Sequence, residues 1–244
     1  MDTIIVNIIY IGGIMLKKKL VSILLIIAVI ISPYIAYGDV DITSKSAVLM
    51  DYNTGKLIYA LNEHEKLPPA SVTKIMTLLL TMEAISSGKI KLNDKVSISE
   101  YASKMGGTQV YLEPGESQTV EDLIKAVSIR SANDAAVALG EFISGSNEVF
   151  VKLMNDRAKS LGMENTNFVN TSGLPADDHY TTAYDIALMS RELLKCTEIQ
   201  KYLTTWMEDL AVGKKKDNTQ TMVNTNRLIR DYDGTTGIKT GSTN

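Results

Sequence analysis

Pro68-Pro69-Ala70-Ser71-Val72-Thr73-Lys74-Ile75-Met76-Thr77 marks the point where the chain changes from strand-like to helical patterning. Before it, Ser46–Met50 and Lys56–Ala60 read as two strands. Asp51-Tyr52-Asn53-Thr54-Gly55 reads as their turn, with Gly55 tolerating positive φ. From Ser71 to about Ser86, Ile75, Leu78, Leu79, Met82 and Ile85 recur on one side of a helix, and Gly88 stops it. Proline immediately before a helix suits a helix start. Residues 89–118 are mixed, with short strand-like pieces. Thr119-Val120-Glu121-Asp122 has the form of a capping box for a helix over Leu123–Ile129. Further helices are expected over Asp134–Ile143, about Asn147–Leu161, and from a cap at Thr181 or Thr182 through Leu194, with a short one toward Thr205. Residues 163–180 read as a loop and 206–226 as irregular and polar. Gly237-Ile238-Lys239-Thr240 leads into a final strand. Strands at both ends with helices between predict a mixed α/β fold. Its antiparallel sheet would be built from both termini and carry a large helical insertion.

The composition is that of a globular chain: 244 residues, 45% hydrophobic and 22% charged, with a net charge of −3. That charge argues against a nucleic-acid partner. Near the N-terminus, Lys17-Lys18-Lys19 precede an apolar run from Leu20 to Ile31. Ser32-Pro33 breaks the run, and Ala36-Tyr37-Gly38 supplies small residues before Asp39. This is the layout of a secretory signal peptide over residues 1–38, with Met15 as the expected true start. The apolar run is short for a membrane span, which needs roughly 20 residues. Without residues 1–38 the chain has 22 basic and 27 acidic residues, a net charge of −5. Cys196 is the only cysteine, so no disulfide forms within the chain.

Three short motifs follow one another: Ser71-Val72-Thr73-Lys74, Ser131-Ala132-Asn133 and Lys239-Thr240-Gly241. Each has an ordinary explanation when taken alone. Ser71 and Lys74 suit a helix cap with a solvated lysine, Ser131 and Asn133 suit helix caps, and Lys239 suits a strand edge. In this order they match the S-x-x-K, S-x-N and K-T-G elements of serine acyl-transfer enzymes. A serine hydroxyl is unreactive until a base takes its proton. Lys74 is one helical turn from Ser71 and shares its face. It serves as a base only if burial or a nearby cation lowers its pKa, and Lys239 is a candidate for that cation. The partial positive charge of the helix N-terminus at Ser71 favours a developing oxyanion. Lys239 and Thr240 offer a cation and a hydroxyl to a carboxylate, while Gly241 permits close approach to the backbone.

The surroundings of the motifs extend the match. They include Pro69–Thr77, Ser131-Ala132-Asn133-Asp134-Ala135-Ala136, Asn167–Pro175, His179–Asp185, Asn224-Thr225-Asn226-Arg227-Leu228 and Gly234–Gly241. Over residues 44–244 the chain resembles the low-molecular-mass penicillin-binding proteins, specifically the serine D-Ala-D-Ala carboxypeptidases of the S11 peptidase family. The resemblance implies a β-lactamase/transpeptidase-like fold. It makes Ser71 the acylated nucleophile, Lys74 the general base and Ser131 a proton shuttle. Asn133, Lys239, Thr240 and Gly241 would bind substrate, and the backbone N–H groups of Ser71 and Ser242 would form the oxyanion hole. The substrate would be a peptidoglycan stem peptide ending in D-Ala-D-Ala, with β-lactams as inhibitors. No metal or organic cofactor is implied, and the place of action is the extracytoplasmic face of the membrane or the wall.

A serine β-lactamase and a non-enzymatic β-lactam sensor share the triplet. However, no Glu-x-x-Leu-Asn segment lies between Ser131 and Lys239. Ser172-Gly173-Leu174-Pro175 also favours the carboxypeptidase. The family's fold needs further strands and a C-terminal helix after the Lys-Thr-Gly strand. Residues 39–244 are therefore expected to be an incomplete catalytic domain, unstable or inactive alone, with membrane association only through a missing C-terminal segment. The remaining polar residues read as structural: His64 and His179 as surface or loop residues, Asp177-Asp178 as a solvated turn, Lys214–Lys216 as a solvated loop. Cys196 reads as a small buried residue after a helix.

Overall fold

Ala47–Met50 (β1) and Leu57–Leu61 (β2) pair antiparallel as the first hairpin, with Leu49 opposite Tyr59. The computed structural model describes Val21 and residues 42–242, and residues 44–242 belong to one compact unit. The expected signal segment lies outside the described residues. The hairpin turn is held by Asp51, whose carboxylate accepts from the Thr54 N–H at 2.8 Å and the Thr54 hydroxyl at 2.5 Å.

The helical centre matches the sequence reading closely. A 3-10 turn over Ala70–Thr73 passes into α1, Lys74–Ser86. Next come β3 (Lys95–Ser97), α2 (Glu100–Ser103), β4 (Ser117–Thr119) and α3 (Val120–Lys125). Thr119 forms the expected capping box: its hydroxyl accepts from the Asp122 N–H, and the Asp122 carboxylate accepts from the Thr119 N–H. Such a cap contributes about 1 kcal/mol. Beyond α3 the chain widens into a π turn, Ala126–Arg130, rather than the α-helix expected to Ile129. Helices α4 (Asn133–Ser144), α5 (Asn147–Ser160) and α6 (Ala183–Leu194) come next, and Thr182 caps the last. A 3-10 turn at Thr197–Ile199 and α7 (Gln200–Leu203) make the short helical stretch after Cys196.

Helix α1 is the axis of the core. The sequence places one apolar stripe on it, yet Lys74, Thr77 and Thr81 on its other sides are also buried. Threonine tolerates burial there because the Thr77 hydroxyl donates to the Thr171 carbonyl and the Thr81 hydroxyl to the Thr77 carbonyl, each at 2.7 Å. Met76 and Leu78 are fully buried, and each such side chain stabilises the fold by about 1.5–3 kcal/mol. Helices α4, α5 and α6 pack around α1. Arg157 on α5 ties two of these neighbours together, pairing with Glu83 of α1 at 2.7 Å and Glu192 of α6 at 2.9 Å. Arg191 of α6 donates to the Tyr52 and Asn53 carbonyls at 2.6 and 2.8 Å, which fastens the β1–β2 turn to the helical layer.

Two expectations need correction. Residues 206–226 are not irregular: Met207–Val212 (β5) and Asn218–Val223 (β6) form a second long hairpin, with Leu210 opposite Gln220. Only Leu210, Val212 and Met222 of it are buried, and the Asn and Thr residues that fill its solvent face hide the alternation. Lys216 at its tip is not merely solvated. It pairs with the buried Glu116 carboxylate at 3.1 Å, and Glu116 also accepts from the Gly213 N–H at 2.9 Å. The second correction concerns the sheet. The described strands make three two-stranded antiparallel sheets, β1–β2, β3–β4 and β5–β6. Residues 237–242 carry no regular secondary structure and have no ladder partner among the described residues, so no strand forms at Lys239. A short helix, α8 (Leu228–Asp231), precedes that segment.

Candidate active site

Ser71 sits in the 3-10 turn ahead of α1, and Lys74 begins the helix itself. The tight turn points both side chains the same way, and Lys74 Nζ lies 3.1 Å from Ser71 Oγ. The lysine is completely buried, and its ammonium donates to the Ser172 carbonyl at 2.6 Å. Burial lowers its pKa to about 7. The nearby Lys239 cation lowers it further, and the Asp134 carboxylate pulls the other way. Half of the Lys74 side chains are therefore neutral near pH 7, as a base requires.

The carbonyl that anchors Lys74 belongs to the loop over residues 170–175. The Asn170 side chain folds this loop, accepting from the Gly173 N–H at 2.7 Å and donating to the Leu174 carbonyl at 2.8 Å. Gly173 has φ of +85°, and a Cβ there would lie 1.8 Å from the Ala70 carbonyl oxygen. Only glycine lets this loop press against the turn that carries Ser71. His179 supports the same contact. Its Nδ1 accepts from the Val169 N–H at 2.9 Å, so its Nε2 carries the proton and donates to Thr73 Oγ1 at 2.8 Å. Burial lowers the His179 pKa to about 4, which keeps the ring neutral.

Ser131 closes the π turn in the left-handed region, at φ of +66°, and Ala132 is extended before α4 begins at Asn133. A non-glycine residue in that conformation marks a corner held by its surroundings. The Asn133 amide donates to the Gly106 carbonyl at 2.6 Å, and its backbone N–H donates to the Thr108 carbonyl at 2.7 Å. Asp134 is buried just behind. Its carboxylate accepts from the Val110, Leu112 and Ala135 N–H groups, while desolvation raises its pKa.

Lys239 is half-buried. Burial lowers its pKa to about 8, and its ammonium turns back to the Thr240 carbonyl at 2.8 Å. The Thr240 hydroxyl donates to the Thr225 hydroxyl at 2.7 Å. Gly241 faces the Ser71 turn, where a Cβ would lie 3.1 Å from the Pro69 carbonyl oxygen and from Val72 Cγ2.

Ser71, Asn133 and Ser242 wall one open cleft of about 500 Å3, together with Gly107, Thr108 and residues 172–176. Lys74 lies beneath Ser71, inside the protein. Ser131, Lys239 and Thr240 stand outside the residues that wall the cleft. The Ser172 carbonyl, the His179–Thr73 pair, Asp134 and Thr225 were not assigned roles by sequence reading. Asn170-x-x-Gly173 was the available signal for the first, since Asn folding its own loop before a glycine is a recognisable turn. The arrangement offers a hydroxyl beside an amine that is about half neutral near pH 7, with the Lys239 cation near that amine.

A family profile described as D-alanyl-D-alanine carboxypeptidase, peptidase S11, matches residues 34–244. The chain is 53% identical over 200 residues to D-alanyl-D-alanine carboxypeptidase DacF of Bacillus subtilis, covering 82% of this chain and 51% of that protein. It is 37% identical to D-alanyl-D-alanine carboxypeptidase DacC of Escherichia coli, over 83% of this chain and 51% of the relative. The chain thus spans about half the length of these curated relatives. Among solved structures, the D-alanyl-D-alanine carboxypeptidase DacD of Francisella tularensis superimposes with a TM-score of 0.80 at 30% identity, over 84% of this chain and 60% of that one. Penicillin binding protein 6B of Escherichia coli does so with a TM-score of 0.76 at 34% identity, over 83% and 64%.

Proposed function

This chain belongs to the S11 peptidase family of D-alanyl-D-alanine carboxypeptidases, and on that premise we propose that it removes the terminal D-Ala from peptidoglycan stem peptides through an acyl-enzyme on Ser71. The observation that carries the reading is the buried Lys74 amine, 3.1 Å from Ser71 Oγ with its pKa near 7. Neutral Lys74 takes the Ser71 proton, and the oxygen attacks the carbonyl of the penultimate D-Ala. Negative charge on that carbonyl oxygen is held by the N–H groups of Ser71 and Ser242. Ser131 passes a proton to the departing amine, and free D-Ala leaves. Water then hydrolyses the ester and Ser71 recovers its proton. Asn133 aligns the peptide, and Lys239, Thr240 and Gly241 receive its terminal carboxylate. β-Lactams present an acyl group and a carboxylate in the same relation, and acylate Ser71.

The same reading makes residues 1–38 an export signal and places residues 39–244 in the catalytic domain, acting outside the cytoplasm on the wall. DacF, DacC and the Francisella protein carry carboxypeptidase names, and nothing in them favours the β-lactamase or sensor alternatives.

The test is incubation of the purified chain with a pentapeptide ending in D-Ala-D-Ala, assaying free D-Ala, beside labelling by a fluorescent penicillin. D-Ala release and a label on Ser71, both abolished in Ser71→Ala, are expected. Rapid penicillin turnover without D-Ala release would reverse the assignment in favour of a β-lactamase.

A further inference from the structure

Thr225 is the residue through which two separate parts of the site meet. Its backbone N–H donates to the Ile129 carbonyl at 3.2 Å, two residues before Ser131. Its hydroxyl accepts from the Thr240 hydroxyl at 2.7 Å. The residues on either side hold it rigidly. The buried Asn224 amide donates to the Leu203 and Thr205 carbonyls at 3.2 and 2.9 Å. The buried Asn226 amide donates to the Gly237 carbonyl at 3.2 Å, and Asn224 Oδ1 accepts from the Asn226 N–H at 2.9 Å. Two buried asparagines thus brace an exposed threonine whose hydroxyl faces Thr240.

A hydroxyl has one proton. When Thr240 gives its proton to Thr225, it has none for a ligand. If Thr225 rotates its own proton toward Thr240, the Thr240 proton is released for a carboxylate, and its oxygen remains hydrogen-bonded. Two hydroxyls in a chain also polarise one another, which strengthens the outer donor. We propose that Thr225 is a positioning residue that turns to donate a hydrogen bond to Thr240 when a terminal carboxylate binds, so that its hydroxyl tunes recognition of the carboxylate end of the peptide. The proposal rests on the carboxypeptidase reading for the identity of that ligand.

The test compares the full chain carrying Thr225→Val, which keeps the shape and removes the hydroxyl, with Thr225→Ser, which keeps the hydroxyl. The probes are an acyl-D-Ala-D-Ala peptide and the same peptide with its C-terminus amidated. Thr225→Val is expected to raise KM for the free acid about threefold, the scale of one lost hydrogen bond between neutral groups behind the Thr240 donor, with kcat within about twofold. KM for the amide should not move, and Thr225→Ser should behave as the parent. A parallel calorimetric series in the Ser71→Ala background reads Kd for the free acid without turnover. If the parent chain binds peptide but releases no D-Ala, the carboxypeptidase reading fails while this Kd series still decides the role of Thr225. Equal weakening of acid and amide, a fall in kcat alone, no rescue by serine, or no binding of the free acid in the Ser71→Ala chain would each overturn the proposal.

Discussion

Shifting the pH by two units either way from about 7.5 is expected to slow acylation of Ser71 about twentyfold. The magnitude comes from two lysines that must hold opposite charge states. Lys74 must be neutral to accept the Ser71 proton, and its pKa is lowered to about 7, first by burial and then by Lys239. Lys239 must be charged to hold a carboxylate, and burial lowers its pKa to about 8. The fraction of molecules meeting both conditions is about 0.6 near pH 7.5 and about 0.03 near pH 5.5 or 9.5, by simple titration. A solvent-exposed lysine would be neutral in only about 0.0003 of molecules at neutral pH. The assay is the second-order rate of acylation by a fluorescent penicillin across this range at constant ionic strength, which reports the free enzyme. The expected curve is a narrow bell. Replacing Lys239 with Gln should remove the alkaline limb and move the acid limb upward, because the cation that depresses Lys74 is gone. A rate that climbs unbroken to about pH 10, as for an ordinary lysine, would refute the reasoning.

Other consequences concern stability. Holding Lys74 in its buried place opposes folding by roughly 5 kcal/mol below pH 7, a penalty that fades as pH rises from 7 toward 10.5. The two hydrogen bonds from the ammonium that Lys74→Met removes are worth about 3–6 kcal/mol and offset that penalty near pH 6, so the Tm of this inactive variant should fall relative to the parent as pH rises from 7 toward 9; a Tm difference that does not change with pH would contradict the account. His179 behaves as a base with a lowered folded pKa, so the unfolded chain takes up its proton first. The stability it contributes is complete above about pH 6.5 and is lost as pH falls toward 4, and thermal melts of His179→Asn should show a flatter decline over that window. Gly173→Ala forces a Cβ into the Ala70 carbonyl at a positive φ, and urea unfolding should register a loss of more than about 3 kcal/mol together with loss of penicillin labelling.

The helical centre was legible because its signals are local. The Thr119 box and the Thr182 cap act within a few residues of the backbone groups they satisfy, and the prolines before Ser71 restrict the backbone where that helix starts. The second hairpin was not legible. Three buried side chains among twelve strand residues leave no clear alternation, so the pattern hides a hairpin whose strands pair across a short turn. The Lys239 segment erred the other way. Its residues favour a strand, but a strand needs a neighbour to receive its hydrogen bonds, and none of the described residues provides one.

The spacing of Ser71 and Lys74 made them neighbours, since three residues is one turn of either helix type. Local chain geometry therefore made Ser71 and Lys74 meet, and the three motifs together with their flanking segments pointed to the family. The sequence by itself did not determine the state of the proton between the two side chains. That was decided by the tertiary structure, which removes Lys74 from water, sets the Ser172 carbonyl against its ammonium and brings Lys239 near. A pKa responds to desolvation and to charges across space, and both depend on segments nearly a hundred or more residues away along the chain.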